Sequence, residues 1–346
     1  MIPEKWTPVF GKDHAQNREE AMQGSVLKRF VGIAAGLVVL WALPARAQQY
    51  PAQDVHFICA WPAGSGADTI VRFYAEKMRA LTNRTIVVEN KPGAGGNIGV
   101  EYASKQKPDG YTILVNGGYN IASNMHLYKR PPIASVNALQ MFATINQQAF
   151  VLVTDASKPY KALADLTEAI KAKGEKASYG VGAPAGVVAG FIYKDRAGLK
   201  AVEVNYRTSA DTMNDLLGGN IDYAMMEPIF ATAQMKQGKL RILAVTSPQR
   251  LQANAELPTF AEQGFPEIRM NLWWSGSVPA GTPQPIVMQL NAWFNQITGS
   301  EEGKKFLNGF SADPFLSTPE QAQALLNADD KAWAEYVKMA RIEPQG

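Results

Sequence analysis

The groups most able to do chemistry in this chain lie in short glycine-rich loops, each placed directly after an apolar run. Pro62-Ala-Gly-Ser-Gly-Ala-Asp68 follows Val55 to Trp61, Asn90-Lys-Pro-Gly-Ala-Gly-Gly-Asn97 follows Thr85 to Glu89, and Asn116-Gly-Gly-Tyr-Asn120 follows Tyr111 to Val115. A further loop, Gly182-Ala-Pro-Ala-Gly186, follows Ala177 to Val181. Glycine lets a ligand approach the backbone closely, and the first turn of a helix leaves N–H groups unpaired with partial positive charge. A strand, a glycine loop and a helix start therefore make a corner that can hold a carboxylate or a phosphate. In the first loop Asp68 is expected to cap a helix running to about Leu81.

Other chemistries find less support. Beyond residue 47 the histidines are His56 and His126, and His126 in Asn124-Met-His-Leu-Tyr128 reads as structural. No G-x-S-x-G elbow, H-E-x-x-H helix or Cys/His metal spacing occurs, so histidine-based catalysis and a zinc site find little support. An exported dinucleotide-binding enzyme is a remote alternative. Gly64-Ser-Gly66 follows a strand, and Glu89 closes the next strand 23 residues beyond Gly66, where a ribose-binding acid would stand. The third glycine of that fingerprint is Thr69 here, and an exported enzyme would lack its cofactor supply. No P-loop pattern is present.

These loops require an α/β frame, because ligands of open α/β sheets lie outside the carboxyl ends of the strands. After the three strands above, Phe150 to Thr154 reads as a strand and Leu163 to Lys173 as an amphipathic helix. The pattern then restarts with strands at Ala177 to Val181, Val202 to Tyr206, Ile221 to Met226 and Leu240 to Thr246, and helices at Val187 to Arg196 and Ala210 to Leu217. Trp273 to Pro279 is apolar and extended, and carries the chain back to the first unit. The tail supplies helices at Pro285 to Thr298, Glu301 to Asn308 and Pro319 to Met339, the last announced by Thr318-Pro319-Glu320. Its stripe of Ala322, Leu325, Leu326, Trp333, Tyr336 and Val337 is expected in the core. Trp61, Tyr119, Tyr206, Trp273 and Trp274 could line a cleft, although aromatics beside strands are more often core.

Length and composition agree with two units. The chain has 346 residues, 46% apolar and 19% charged, enough to bury a real core. Lys28-Arg29, the apolar stretch Phe30 to Leu43, Pro44 and Ala45-Arg46-Ala47 read as a secretory signal peptide cut after Ala47, with a membrane anchor or buried helix as the alternative. The long segment before Lys28 suggests that translation starts at Met22. Without residues 1–47 the formal charge falls from +3 to +1, which asks for neither nucleic acid nor a membrane surface. Cys59 is the only cysteine, so there is no internal disulfide, and its place in the first strand makes it a small buried hydrophobe.

Several stretches carry a family resemblance: Tyr50-Pro51, Trp61-Pro-Ala-Gly-Ser-Gly-Ala-Asp68, Val88-Glu-Asn-Lys-Pro-Gly-Ala-Gly-Gly-Asn-Ile-Gly99, Pro108-Asp-Gly-Tyr-Thr112, Leu216-Leu-Gly-Gly219, Gly238 to Ser247, Leu257-Pro-Thr259 and Pro279-Ala-Gly-Thr-Pro283. Together they resemble the Bug-type (TctC-like) extracytoplasmic receptors of tripartite tricarboxylate transporters, in order from Tyr50 to the C-terminus. The resemblance implies a two-lobed α/β periplasmic-binding-protein fold of the Venus flytrap kind, each lobe a sheet flanked by helices, with the ligand in the interlobe cleft. Lobe 1 would comprise residues 48–149 and 273–346, and lobe 2 residues 150–272.

The function implied is capture of an organic carboxylate in the periplasm, by a monomer, for membrane permease subunits. The resemblance implies a receptor that is not an enzyme, with no catalytic residue, metal or cofactor. A periplasmic sensor presenting the acid to a signalling partner is the alternative. Carried over by position, the ligand contacts are Trp61, Ala63, Gly64, Ser65, Gly66, Ala67 and Asp68 in the first loop, and Gly182, Ala183, Pro184, Ala185 and Gly186 in the second-lobe loop. Gly117, Gly118, Tyr119, Tyr206, Met226 and Glu227 stand at the rim. The family's usual Phe is Trp61 here, its His and Glu are Val187 and Phe191, and its Asp-Asn is Met226-Glu227. Polar positions turned apolar suggest an acid with a bulky or aromatic body.

Overall fold

β1 (Val55–Cys59) is a nearly continuous apolar run, the pattern of a strand covered on both faces, and it lies inside a sheet rather than at its edge. The computed structural model describes residues 50–346 apart from Arg207. The expected signal peptide, its cleavage after Ala47 and the Met22 start fall outside the described residues. After β1 the chain runs α1 (Gly66–Thr82), β2 (Ile86–Asn90), α2 (Asn97–Ser104), β3 (Thr112–Gly117), α3 (Gly118–Leu127) and β4 (Leu139–Gln148). Next come β5 (Val151–Asp155), α4 (Leu163–Lys173), β6 (Ser178–Val181), α5 (Pro184–Arg196), β7 (Val202–Asn205), α6 (Ser209–Leu217), β8 (Tyr223–Met226), α7 (Pro228–Lys236) and β9 (Leu240–Val245). The chain ends with β10 (Leu272–Pro279), α8 (Gln284–Gly299), α9 (Glu301–Gly309), β11 (Asp313–Pro314) and α10 (Pro319–Met339).

The strands form two mixed sheets, and the fold is two-lobed α/β. The first sheet has the order β11-β4-β10-β3-β1-β2, and the second β7-β6-β8-β5-β9. β1 pairs parallel with β2 and β3, while β10 runs antiparallel between β3 and β4. In the second sheet β6 pairs parallel with β7 and β8, and β5 antiparallel with β8 and β9. The chain passes from one sheet to the other through Ala149 and Phe150, and returns between β9 and β10.

Each sheet is built on aromatic packing. In the first, Phe294 of α8 meets Phe142 edge-on at 4.7 Å and Tyr74 of α1 at 5.1 Å. In the second, Tyr179 and Tyr223 stack at 5.1 Å with Tyr193 edge-on at 5.7 Å. Such geometries add about 0.5–1.5 kcal/mol per pair beyond area burial. On α10, Ala322, Leu326, Trp333 and Val337 are buried, with Leu325 and Tyr336 packed against them. His126 Nε2 lies 2.8 Å from Asp330 Oδ1, which fastens α3 to α10. Cys59 is buried and free.

Three local readings change. α1 begins at Gly66 and its cap is Ser65, whose Oγ accepts from the Asp68 N–H at 3.2 Å. Asp68 thus sits inside the first turn rather than capping it. β4, unread in the sequence, is the longest strand and buried on both faces, so Leu139 to Gln148 shows no alternation of apolar and polar residues. α3 follows β3 without a loop; the close start needs Gly118, where a Cβ would come within 2.1 Å of the Trp273 ring.

Candidate functional site

The loop between β1 and α1 is held by Asp68 from inside. Its buried carboxylate accepts from the Gly64 N–H at 2.8 Å, Asn90 Nδ2 at 2.8 Å and Arg72 Nε at 2.8 Å. Gly64 stands at φ +79°, a conformation that suits glycine. Burial opposes the charge on Asp68, but the hydrogen bonds from Arg72, Asn90 and Gly64 outweigh it and hold the carboxyl below its usual range. With these partners Asp68 shapes the loop, while nothing among the described residues accepts from the N–H groups of Gly66 or Ala67.

Those N–H groups open onto a cavity of about 170 Å³. Trp61, Ser65, Gly66, Ala67 and Ile70 line it from the first loop and α1, and Tyr119 from α3. Glu227, Pro228 and Ile229 come from the start of α7, Gln148 and Phe150 from the crossing out of β4, and Leu272 and Trp274 from β10. A second cavity of about 210 Å³ shares Phe150 and Glu227 and extends to Gly182, Ala183, Thr208, Ser209, Thr212, Met225 and Met226.

Of the residues expected from sequence, Trp61, Ser65, Gly66, Ala67, Tyr119 and Glu227 meet in the first cavity, and Gly182, Ala183, Met226 and Glu227 in the second. Ala63 and Gly64 are exposed, and neither they nor Asp68, Gly117 or Gly118 line either cavity. Pro184 opens α5; Ala185 is buried, and Gly186 faces Met225 and Phe150, where a Cβ would have 3.4 Å contacts. The Tyr206 hydroxyl donates to Asp215 Oδ2 at 2.6 Å; burial and that carboxylate push its phenol up to about 12. Val187 and Phe191 pack on the core outside both cavities, so they are not the source of apolar cleft walls. That character comes from Ile70, Phe150, Ile229, Leu272 and Trp274. Gln148 escaped the sequence reading with β4, and Phe150 reads from sequence as the start of the next strand rather than as a cleft wall; the aromatic pair Trp273-Trp274 was the available signal for β10, and of the two only Trp274 faces the cleft.

The electrostatics come mostly from helix starts. α1, α5, α6 and α7 all present first-turn residues or caps to the two cavities: Ser65 to Ala67, Ala183, Thr208 and Ser209, and Glu227 to Ile229. Each contributes partial positive charge. Among the described lining residues none is Lys, Arg or His, and the one carboxylate is Glu227. Glu227 is exposed at the cleft, and desolvation by the protein packed around it raises its pKa. Burial, and then the charge of Glu227, also push the Tyr119 phenol up. Among the described residues no cluster of three His, Cys, Asp or Glu could hold a metal, and no helix is long and apolar enough to cross a membrane.

Comparison with known proteins agrees with this geometry. Residues 70–341 match the family described as tripartite tricarboxylate transporter family receptor. Protein BugT of Bordetella pertussis is 27% identical over 301 residues, covering 86% of this chain and 92% of BugT. Among solved structures, R. palustris Rpa4515 with adipate has a TM-score of 0.74 at 26% identity, covering 85% of this chain and 99% of that one. The periplasmic binding protein BugD has a TM-score of 0.71 at 28% identity, covering 86% and 100%.

Proposed function

Because this chain belongs to the tripartite tricarboxylate transporter receptor family, we propose that it captures an organic carboxylate with an apolar, bulky or aromatic body and presents it to the permease subunits of such a transporter. The observation that carries the reading is the convergence of helix starts on a cleft with apolar walls and no basic side chain among its described lining residues. Backbone N–H groups and dipoles can hold one carboxylate there without a counter-ion. Trp61, Ile70, Phe150, Ile229 and Trp274 would receive the body, since apolar walls favour apolar ligands and penalise unpaired polar groups. Adipate, bound by Rpa4515, has an aliphatic chain between its carboxylates, which supports an acid with an apolar middle here.

In this reading the first loop, from Trp61 to Asp68, is one jaw, with the N–H groups of Gly66 and Ala67 at the carboxylate and Asp68 bracing the turn. The second jaw is formed by Gly182 to Gly186 and the residues after β7 and β8. Lobe boundaries at 149/150 and 272/273 put the hinge at the crossings, and closure about it would bury the acid. The precursor would be exported and cut after Ala47. A thermal-shift screen tests the reading, because a ligand that binds only the folded state raises the melting temperature. Benzoate, phenylacetate and adipate are expected to raise it more than citrate; no response to any acid, or a response to citrate alone, would overturn it.

A further inference from the structure

Glu227 stands where the two cavities meet, since it lines both. It occupies the N-cap position of α7 but makes no side-chain cap hydrogen bond, so its carboxylate is not spent on the helix it precedes. The first cavity is also lined by hydrogen-bond donors: Gly66 and Ala67, whose N–H groups have no acceptor among the described residues, and Gln148. Gln148 is 6% exposed and lines the cavity, and its Nε2 has no partner among the described residues. The first cavity therefore combines donors, from the start of α1 and from Gln148, with one anionic acceptor, Glu227. Its other walls include the apolar side chains of Phe150, Ile229 and Trp274.

We infer that the ligand is a carboxylate that also carries a hydrogen-bond donor, an amine, ammonium or amide N–H, which Glu227 accepts. The inference rests on the carboxylate reading of the same cleft. A second ligand carboxylate beside Glu227 would set two like charges together, which disfavours its binding there. A donor there satisfies Glu227 and gains a charge-assisted hydrogen bond. Glu227 is exposed in the open cleft, and a ligand without a donor that displaces its water leaves the carboxylate desolvated and unpaired, which is costly. Glu227 would thus act as a specificity-determining residue.

Four matched probes separate the two ends of the ligand: 4-(aminomethyl)benzoate, 4-methylbenzoate, 4-methylbenzylamine and terephthalate, titrated calorimetrically at pH 7.5 into the mature protein and its Glu227→Gln variant. In the wild type the aminomethyl acid is expected to bind more tightly than 4-methylbenzoate by about tenfold or more, with terephthalate weaker than either. In Glu227→Gln that preference should collapse and terephthalate should gain. Equal or tighter binding of 4-methylbenzoate by the wild type overturns the inference while leaving the carboxylate reading intact, as does a preference that Glu227→Gln does not change. Binding of the aminomethyl acid no tighter than 4-methylbenzylamine removes the carboxylate reading, and the inference with it. If none of the four binds, the inference is overturned, and the acid screen alone then decides the carboxylate reading.

Discussion

The indole Nε1 of Trp61 donates to Asn116 Oδ1 at 3.0 Å, tying the loop after β1 to the end of β3. The bond fixes the ring that forms one wall of the cleft. Asn116 is buried, and its Nδ2 has no other partner among the described residues. Trp61→Phe keeps an aromatic wall but strips the last hydrogen bond from that buried amide, a loss of about 1–3 kcal/mol. The expected result is a lower urea midpoint with an unchanged slope, together with weaker acid binding by calorimetry. Unchanged stability would mean that the indole bond contributes nothing net.

Ser65 caps α1 and also lines the first cavity, and two substitutions test what each role contributes. Its Oγ caps α1 through the Asp68 N–H, so Ser65→Ala should cost about 1 kcal/mol of stability and Ser65→Gly only a few tenths. Both remove the hydroxyl that faces the cavity. Acid affinity should therefore fall in both variants, while the denaturation midpoint falls clearly in the alanine variant alone.

Asp68 gives the loop an acid sensitivity. Its carboxyl titrates lower in the folded chain than in the unfolded one, because the hydrogen bonds from Arg72, Asn90 and Gly64 outweigh burial. Its stabilisation is fully present above the ordinary carboxylate value of about 4 and is lost as the pH falls through the folded value. Asp68→Asn should be less stable than the wild type at pH 7, with the gap narrowing towards pH 3. A gap that stays constant over that range would show that the charge is not what matters.

Asp329 behaves in the opposite sense. Burial raises its carboxyl to about 6, even though the Trp273 indole donates to Oδ2 at 2.6 Å. Its contribution is fully present below the unfolded value of about 4 and is lost as the pH climbs through the folded value of about 6. Asp329→Asn keeps an acceptor for the indole without the charge. It should gain stability over the wild type at pH 8 and show no gain at pH 4, as read by urea melts at both.

How much was legible in the sequence follows from where water touches the chain. The strands leading into glycine loops could be read because an apolar run stops abruptly at Pro62, Gly117 or Gly182. The stripe on α10 could be read because one face of that helix is wet. β4 could not: Thr144, Asn146 and Gln148 are polar yet buried, so Leu139 to Gln148 carries neither alternation nor a clean apolar run. With β4 went Gln148, and Phe150, read only as the first residue of the next strand, also stands in the cleft wall. α7 was missed because the helix has little difference between its faces, so its sequence carries no clear helical period. Ser65 and Asp68 are both good caps by type, and only side-chain reach gives the role to Ser65.

The position of β10 sets an order of assembly. All five strands of the second sheet lie between Val151 and Val245, so that sheet can be completed from one continuous stretch. The first sheet has its middle strand beginning only at Leu272, between β3 and β4. Until that stretch arrives, β3 and β4 each present an unpaired edge, and edges of this kind recruit stray strands. Pairings between residues so far apart in sequence also form slowly. A chain emerging from its N-terminus therefore carries its first lobe open down the centre until the last quarter has followed, and mutations in β10 should show up first as lost yield and aggregation rather than as altered binding.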